Sequence, residues 1–437
     1  MGLGEFGGGE AVVRFLVRRG AIVTLTDLKT ESQLAVPLQR LTDEFPAKLR
    51  LGQHDLDDFT DADGVVVNPA VKPDNPFVQA AERANVPLTS EIRLFWTNCT
   101  APILGITGTA GKSTTATLVR SLMQAAGIPC RLGGNIGHSL LNELDSLGQA
   151  WVILELSSFQ LTDLDRGHFS PRIAVVTNFY PNHLDWHPDL ADYRHAKQTI
   201  LRWQSADDVA VVPADDAEVV SWIPRDSSRR VISIGPEGDV KWTGDELRWG
   251  AEYRVRFPEL WPGTICRNAA LALGAVLAVH PQMDASAVAR GLQNFRPLPH
   301  RLQFVGEVAG RRFYDDSKAT TPEASIAAIN AFSRPIVLMA GGADKGVDLS
   351  DFAAAISHRV KAVALMGQTA ESLSSKIASV PQHCGTSFAE CFAWAWKQSR
   401  PDDIVLLSPG CSSLDWFRNY VDRGEQFQEL VARPSWP

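Results

Sequence analysis

A short segment rich in glycine, lysine and hydroxyl residues has the composition of a phosphate-binding loop. It follows the apolar run 103–107 and precedes a helix-compatible stretch that ends near Ala126. Its candidate ligand residues are Gly108, Thr109, Gly111, Lys112, Ser113 and Thr114. Glycines admit a phosphate close to the backbone, a helix N-terminus presents N–H groups, lysine adds positive charge and a hydroxyl can bind Mg²⁺. Although Ile106 replaces the first glycine of the strict GxxxxGK[ST] pattern, the segment predicts a nucleoside triphosphate site rather than a glycine-rich turn without a ligand.

A second glycine cluster opens the sequence. Gly2, Gly4 and Gly7 fit the pattern GxGxxG, and Asp27 follows 20 residues after Gly7. This layout is typical of a dinucleotide-binding fold, with the acidic residue placed for a ribose or uridine contact. Only Met1 precedes the cluster, so the strand that normally directs such a loop is missing. We expect either a start codon further upstream or an N-terminal sheet with a gap at its centre, and a flexible glycine-rich tail is the alternative.

Two histidines four residues apart suggest a different chemistry. His183 and His187 flank Asp185, a spacing that transition-metal hydrolases use. The sequence supplies neither a third soft ligand nor a base of the HExxH type. We therefore interpret His187 as a loop residue or the start of a helix.

Short apolar runs alternate with longer amphipathic stretches along the chain. Such continuous runs are typical of strands buried on both faces, as in parallel sheets. They span residues 22–26, 65–67, 103–107, 152–156, 173–177, 336–339, 360–366 and 404–407. The pattern predicts an α/β fold. Between Pro224 and Pro262 the pieces are shorter and alternate in polarity, which predicts a β-rich excursion of the central domain.

The size of the chain and its Pro- and Gly-marked seams predict three domains. The 437 residues correspond to about three domains of ordinary size. Residues 98–102 and 295–299 each separate a helical pattern from a new strand pattern. We expect domains at 1–97, 98–298 and 299–437.

Composition excludes several classes of protein. With 45% hydrophobic and 21% charged residues, the chain is neither disordered nor fibrous. A net charge of −8 without blocks of like charge disfavours nucleic-acid and membrane partners. The longest apolar run, 269–279, is too short to span a bilayer and no export segment is recognisable, so we expect a cytoplasmic protein. Six cysteines without a CxxC pair indicate neither a disulfide framework nor a zinc ribbon.

Further motifs follow one another along nearly the whole chain. They are TD at 26–27, ITGTAGKST at 106–114, GGNIG at 133–137, ELSSFQL at 155–161, NHLD at 182–185, YRHAK at 193–197, PHR at 299–301, DDSKAT at 315–320, GGADKG at 341–346 and LSPGCSSLDWF at 407–417. In this order they resemble the motifs of the muramyl ligase family of peptidoglycan synthesis. The resemblance implies a Rossmann-like N-terminal domain, a P-loop-type central ATPase domain with a mostly parallel sheet, and a Rossmann-like C-terminal domain.

The resemblance also implies a reaction. Members of the family transfer the ATP γ-phosphate to a substrate carboxylate, and the amine of an amino acid attacks the resulting acyl phosphate to give an amide, ADP and phosphate. The motifs are most similar to those of members that add D-glutamate to UDP-N-acetylmuramoyl-L-alanine. These implied partners are small molecules, and we expect a monomer. Alternatives are a relative that adds another amino acid, such as L-glutamate, a folylpolyglutamate-type ligase, or a catalytically idle nucleotide-binding homologue.

Residue roles in the phosphoryl transfer are implied by the same resemblance. Lys112 would hold the β- and γ-phosphates, and Ser113 or Thr114 with Glu155 would serve a first Mg²⁺. His183 would bind a second Mg²⁺, with Mn²⁺ as a possible substitute at the two sites. Lys197 matches the carbamylated lysine of the family, although its context alone would favour a solvated helix lysine.

Substrate-binding residues are implied in three groups. Positions that match the UDP-substrate site are Gly4, Phe6, Asp27, Asn135, Ser157 and Gln160. Positions that match further nucleotide contacts are Asn268, Arg301 and Asp316. Positions that match the glutamate site are Lys318, Thr320, Lys345, Ser413 and Leu414. Isolated Asn, Ser and Gln residues usually cap helices or bond the backbone, so only the resemblance raises them above that role.

The sequence departs from the family pattern at several positions. Asn182 replaces the usual Asp before the metal-site histidine, which removes a negative charge near the second metal. Trp186 stands where Arg is common, and Arg267 stands where His is common. Ala70 and Tyr420 replace a usual Gly and a common Phe. None of these changes removes a residue that must react.

Overall fold

The computed structural model describes residues 1–4, 7–41, 47–136, 138–183, 186–224, 228–258 and 261–433. Phe6 and Asp185 lie outside the described residues. The described residues form two compact units, residues 1–257 with 267–295 and residues 258–266 with 296–437. The predicted α/β class is confirmed, while the boundaries at 97 and 298 stay a prediction.

The N-terminal part of the first unit consists of short strands that alternate with helices. The elements are α1 (Gly8–Arg18), β1 (Val23–Asp27), α2 (Ala35–Gln39), β2 (Ala47–Leu51), α3 (Asp57–Thr60), β3 (Val65–Val66), α4 (Pro76–Arg83), β4 (Leu88–Thr89) and α5 (Glu91–Asn98). Strand β1 pairs with β2 and β3 pairs with β4, both in parallel. Met1 and Gly2 lie between these pairs, because Gly2 N donates to Thr26 O and Asn68 N donates to Met1 O.

A large sheet and the helices that accompany it follow in the same unit, apart from residues 263–266 at the start of the helix Gly263–Val279. Its elements are β5 (Ile103–Thr107), α6 (Lys112–Ala125), β6 (Cys130–Gly134), a 3₁₀ helix (Leu141–Ser146), β7 (Trp151–Glu155), α7 (Ser158–Arg166), β8 (Ile173–Val176), α8 (Leu190–Arg202), β9 (Val209–Pro213), α9 (Ala217–Ser221), β10 (Arg230–Ile234), β11 (Val240–Thr243), β12 (Glu246–Trp249), β13 (Tyr253–Arg256), α10 (Gly263–Val279) and α11 (Ala285–Asn294). The strand order is β13-β12-β11-β10-β9-β8-β5-β7-β6. Strands β6 to β10 with β5 are parallel, and the β-rich excursion predicted before Pro262 is the antiparallel β11-β12-β13 meander.

The second unit contains another mostly parallel sheet. Its elements are β14 (Gln303–Val308), β15 (Arg311–Asp315), α12 (Pro322–Asn330), β16 (Ile336–Gly341), α13 (Ser350–Arg359), β17 (Val360–Met366), α14 (Ala370–Lys376), β18 (Gln382–Cys384), α15 (Phe388–Gln398), β19 (Ile404–Leu407) and α16 (Tyr420–Val431). The strand order is β14-β15-β19-β16-β17-β18, and only β14 runs antiparallel to its neighbour.

The apolar runs of the sequence become strands because both faces of each sheet are covered. All residues of β5, β8, β9, β16 and β19 are buried. Parallel neighbours end at the same edge of a sheet, so the loops that follow β5, β7 and β8 are brought together. Among the described helices, none has the length and apolar character needed to cross a membrane.

The helix that follows the phosphate loop, α6, packs on α11 at Gly291. A Cβ atom at this position would lie 2.7 Å from Leu122 Cδ2 and 3.0 Å from Leu122 Cα. We predict that Gly291→Ala lowers the midpoint of thermal unfolding, because overpacking costs about 1–3 kcal/mol and better helix propensity returns only about 1 kcal/mol. Gly8→Ala in α1 is the matched control, since a Cβ atom there would meet no atom of the described residues within 4 Å. Circular dichroism melts in which both variants match the wild type would contradict the prediction.

Candidate active site

Two asparagines lie against the phosphate loop, and one of them bonds its backbone. Gly108 and Gly111 have φ values of +147° and +81°, which a side chain would strain. Asn178, just after β8, accepts hydrogen bonds through Oδ1 from Thr109 N at 3.1 Å and Ala110 N at 2.9 Å. A Cβ atom at Gly111 would lie 2.7 Å from Asn268 Oδ1, so the predicted nucleotide residue Asn268 lies directly against the loop.

Two lysines donate to the same carbonyl group of this loop. Lys112 Nζ donates to Gly108 O and Thr109 O, both at 2.9 Å. Lys197 Nζ donates to Gly108 O at 2.8 Å and lies 3.4 Å from Thr107 Oγ1. Lys197 is 1% exposed, so it is not a solvated helix lysine. Burial, followed by the charge of Lys112, holds the pKa of Lys197 well below its usual range, and Glu155 opposes this only in part.

A buried carboxylate lies beside the loop with one unsatisfied oxygen. Glu155 ends β7, next to β5, and is 2% exposed. Its Oε1 accepts a hydrogen bond from Asn135 Nδ2 at 3.0 Å, while Oε2 is buried without a hydrogen-bond partner among the described residues. A buried carboxylate oxygen without a partner is costly, so this atom is available to a donor or a cation.

The surroundings of Glu155 suit one particular kind of cation. Within the described ranges, no group of three His, Cys, Asp or Glu side chains forms a metal cage. Mg²⁺ does not need such a cage, because it is commonly held by one or two protein oxygens together with waters and phosphates. Ser113, in the first turn of α6, is 5% exposed and could supply a second oxygen. The donor set therefore fits Mg²⁺ bound with a nucleotide.

Helix α7 begins beside Glu155 with two residues that the sequence assigned to substrate. Ser157 Oγ accepts from Gln160 N at 3.2 Å, and Gln160 Oε1 accepts from Ser157 N at 3.0 Å. This reciprocal pair is a capping box, which satisfies the helix N-terminus. Both side chains are buried, so their first role in the structure is to fix the start of α7.

His183 lies on the exposed side of this helix start. Its φ value is +56°, and its ring centroid lies 5.2 Å from that of Phe159 and 6.1 Å from that of Tyr193. Asn182 Oδ1 accepts from His183 N at 2.7 Å, so the residue that replaces the usual Asp bonds the local backbone. Arg267, another departure, pairs with Asp215 at 2.7 Å.

The N-terminal glycine loop and Asp27 border a cavity of about 570 Å³. Asp27 Oδ2 accepts from Leu3 N at 2.8 Å, so the predicted acidic residue bonds the loop itself. Gly2 and Gly4 have positive φ values, which lets the loop turn tightly. Ala70 and His54 also line the cavity, whose size suits a small-molecule ligand.

In the second unit, the loops after β15, β16 and β19 meet at one edge of the sheet and carry the predicted glutamate residues. Ala343 N donates to Ser412 O at 2.9 Å, which joins two of these loops. Ser413 is buried and Thr320 is half-buried, whereas the remaining three predicted residues are exposed: Lys318, Lys345 and Leu414.

The predicted nucleotide residues of this unit flank the same edge. Asp316 accepts from Leu302 N at 3.1 Å and from Ser408 Oγ at 2.8 Å, and burial raises its pKa to about 7. Arg301 Nε is a buried donor without a hydrogen-bond partner in the described part of the chain. An unsatisfied guanidinium nitrogen at this place suits an anionic ligand.

Two residues that organise the loops were missed by sequence reasoning. Asn178 holds the phosphate loop, and its position directly after an apolar strand is a signal that could have identified it. Arg423 is fully buried in α16 and donates to Ser317 Oγ, Ser317 O and Cys411 O. Burial lowers the pKa of Arg423 to about 10. Nothing in its helical context distinguishes this arginine from a surface residue.

Comparisons with known proteins match nearly the whole length of the chain. Residues 1–90 match the Mur ligase MurD-like N-terminal domain, residues 106–256 the Mur ligase middle domain, and residues 300–411 the Mur ligase glutamate ligase domain. Two similar curated proteins bear the name UDP-N-acetylmuramoylalanine–D-glutamate ligase. The one from Roseiflexus sp. is 38% identical over 99% of this chain and 97% of its own length. The one from Symbiobacterium thermophilum is 37% identical over 97% and 96%.

A solved structure supports the fold. UDP-N-acetylmuramate-alanine ligase MurC from Thermotoga maritima superposes with a TM-score of 0.60 at 19% identity and covers 98% of this chain and 97% of its own. At that identity the likeness concerns the fold alone. The family models and the full-length relatives establish the ancestry, and the chain belongs to the Mur ligase family.

Proposed function

We propose that this protein is an ATP-dependent ligase that joins D-glutamate to the carboxylate of UDP-N-acetylmuramoyl-L-alanine, with release of ADP and phosphate. The observation that carries the proposal is the meeting of Lys112, Lys197 and the unsatisfied Glu155 oxygen around one phosphate loop. Full-length relatives that bear this enzyme's name support the choice of substrates. We further propose, from the sequence, that the protein acts as a cytoplasmic monomer without nucleic-acid or membrane partners.

In the proposal, ATP is bound by backbone N–H groups and by Lys112. The N–H groups at the N-terminus of α6 receive the phosphates, and Lys112 leaves its present carbonyl partners for the β- and γ-phosphates. Asn268, Arg301 and Asp316 complete the nucleotide contacts in the proposal.

Two cation sites belong to the proposal. Ser113 or Thr114 with Glu155 would hold one Mg²⁺, and His183 with a carbamylated Lys197 would hold a second. When bound, these ions, or Mn²⁺ in their place, supply neutralisation of phosphate charge. The orphan Oε2 atom of Glu155 is the feature of this structure that fits the first ion.

The depressed pKa of Lys197 is what supports carbamylation. CO₂ reacts only with an uncharged amine, and burial beside Lys112 favours that form of Lys197. The reaction forms an N–C bond and releases one proton, which turns the amine into an anionic carbamate. An anion there would also remove the repulsion between the two lysines.

The two substrates are assigned to different sets of residues. We assign the uridine end of the first substrate to the cavity that Gly2 and Asp27 line, with Gly4 and Phe6 assigned from the sequence alone. The resemblance assigns Asn135, Ser157 and Gln160 to its reacting carboxylate. Two exposed cations, Lys318 and Lys345, suit the two carboxylates of glutamate. Thr320, Ser413 and Leu414 complete that proposed site.

Amino-acid-dependent phosphate release tests the proposed function. With ATP, Mg²⁺ and UDP-N-acetylmuramoyl-L-alanine, we expect release with D-glutamate and little with L-glutamate, because with both carboxylates held only one enantiomer directs its amine at the carbonyl carbon of the acyl phosphate. A coupled phosphate assay measures it. Release with L-glutamate instead would indicate a ligase with another amino acid. Release that depends on folate would indicate the folylpolyglutamate type, and no release under any condition would indicate an idle homologue.

Replacement of Lys197 tests the carbamate. We predict that Lys197→Ala loses at least about a hundredfold in kcat, because an anion beside the transferring phosphate is lost with its metal. Added formate or acetate should restore part of the activity by occupying the vacated space. The matched control is Lys112→Ala, which lacks a cation and should not respond to a carboxylate. Full activity of Lys197→Ala, or equal rescue of both variants, would show that the carbamate role is wrong.

A further inference from the structure

His187 is a buried histidine with a side-chain partner at each ring nitrogen. Its Nδ1 lies 2.6 Å from Asp192 Oδ2, and its Nε2 lies 3.0 Å from Ser158 Oγ. An ionised carboxylate can only accept, so Nδ1 carries a hydrogen, and in the neutral imidazole Nε2 accepts the hydroxyl hydrogen of Ser158. The three side chains therefore form one hydrogen-bonded series with a single direction.

Aromatic rings fix the orientation of this imidazole. It stacks on Phe159 with centroids 5.8 Å apart at 17°, and it meets Trp186 at 4.6 Å and Tyr193 at 5.2 Å edge-on. His187 is 1% exposed. The ring cannot turn away from either bond without disturbing three neighbours.

The order serine, histidine, carboxylate is also that of a hydrolase triad. A nucleophilic serine must reach a substrate carbonyl, yet Ser158 is 2% exposed and lies within the first turn of α7. The buried hydroxyl is therefore unsuited to attack a substrate. The series must act through what its members hold in place.

Each member belongs to a different segment of the candidate site. Ser158 directly follows Ser157, the capping residue of α7. Asp192 lies in the first turn of α8, the helix that carries Lys197. The His187 backbone N donates to His183 O at 2.9 Å, so the same residue closes the loop of the proposed metal histidine.

The connection continues to the phosphate loop. Tyr193, next to Asp192, donates its hydroxyl hydrogen to Thr109 Oγ1 at 3.1 Å, and Lys197 bonds Gly108 O one turn later. Helix α8 is thus fixed to the phosphate loop. His187 in turn fixes the first turn of α7 to the first turn of α8, through one hydrogen bond on each side of its ring.

We propose that His187 is a positioning residue of the ligase reaction, which holds the Ser157–Gln160 start of α7 in register with Lys197 and the phosphate loop. The proposal rests on the proposed function, since it assigns Ser157 and Gln160 to the reacting end of the first substrate. His187 itself touches neither ATP nor the reacting atoms. Its loss should slow the chemical step more than it weakens nucleotide binding.

Two conservative variants separate the two bonds of the ring. In His187→Gln the amide oxygen can take the place of Nε2 and accept from Ser158, whereas in His187→Asn the amide can reach Asp192 but not Ser158. We expect His187→Asn to lower kcat about a hundredfold, because a misplacement of about 1 Å costs that much, with the KM for ATP changed less than about twofold. His187→Gln should lower kcat to a similar extent, because it loses the bond to Asp192 and so breaks the connection to α8.

Controls exclude a general loss of folding. His195→Ala, an exposed histidine in the same helix α8, should leave both constants unchanged. Ser158→Ala should have the same effect as His187→Asn, because both variants remove the same hydrogen bond between Ser158 and His187. The double variant should therefore be no less active than either single variant. Wild-type kcat in folded His187→Asn or in folded His187→Gln, or additive losses in the double variant, would overturn the proposal.

A failure of the proposed function would be recognised separately. Wild-type enzyme without substrate-dependent phosphate release overturns that function whatever the variants do. The coupling between Ser158 and His187 is then measured from the midpoints of thermal unfolding of four proteins: wild type, Ser158→Ala, His187→Asn and the double variant. Additive shifts of the melting midpoint there would show that Ser158 and His187 are not coupled and would also end the positioning role.

Discussion

Two lysines and a buried glutamate lie around one loop, and their electrostatics constrain the rest of the site. Lys112 and Lys197 both donate to Gly108 O, so their nitrogens lie within a few ångströms of each other. At an effective dielectric constant of about 20, two positive charges at such a distance repel by several kcal/mol. Glu155 can offset one charge only. The arrangement is therefore stable when Lys197 is uncharged or converted to an anion, and the same condition suits phosphate chemistry.

The backbone meets this constraint through the edge of a parallel sheet. Strands β5, β7 and β8 end together and deliver the phosphate loop, Glu155 and Asn178 to one place. Side chains then fix the loops that follow: Asn178 bonds the phosphate loop, and the Ser157–Gln160 capping box begins α7. In the second unit Arg423 joins two loops in the same manner. The phosphate loop, Glu155 and Asn178 are thus each placed by a strand end and fixed by a polar contact.

The sequence predicts those parts of the molecule that depend on local pattern. The apolar runs 103–107, 360–366 and 404–407 coincide with β5, β17 and β19, because strands buried on both faces need continuous apolar residues. Burial of Lys197 has no local signature, since its partner Gly108 lies 89 positions away. The same holds for His187 and Ser158, which are 29 positions apart. A pattern read along the chain reports periodicity, whereas these contacts arise only when separate helices pack on one sheet.

The departures from the family pattern near His183 compensate one another in charge. Asn182 removes a negative charge, and Trp186 removes the positive charge that an arginine would bring, so the net charge of the loop is unchanged. The indole of Trp186 instead packs against Phe159 and His187, with centroids 4.7 Å and 4.6 Å apart. The loop thus has two fewer charged side chains than the family pattern, and it has an additional aromatic contact with the buried imidazole. In this chain the ring of His187 is held by these aromatic contacts together with its hydrogen bonds to Asp192 and Ser158.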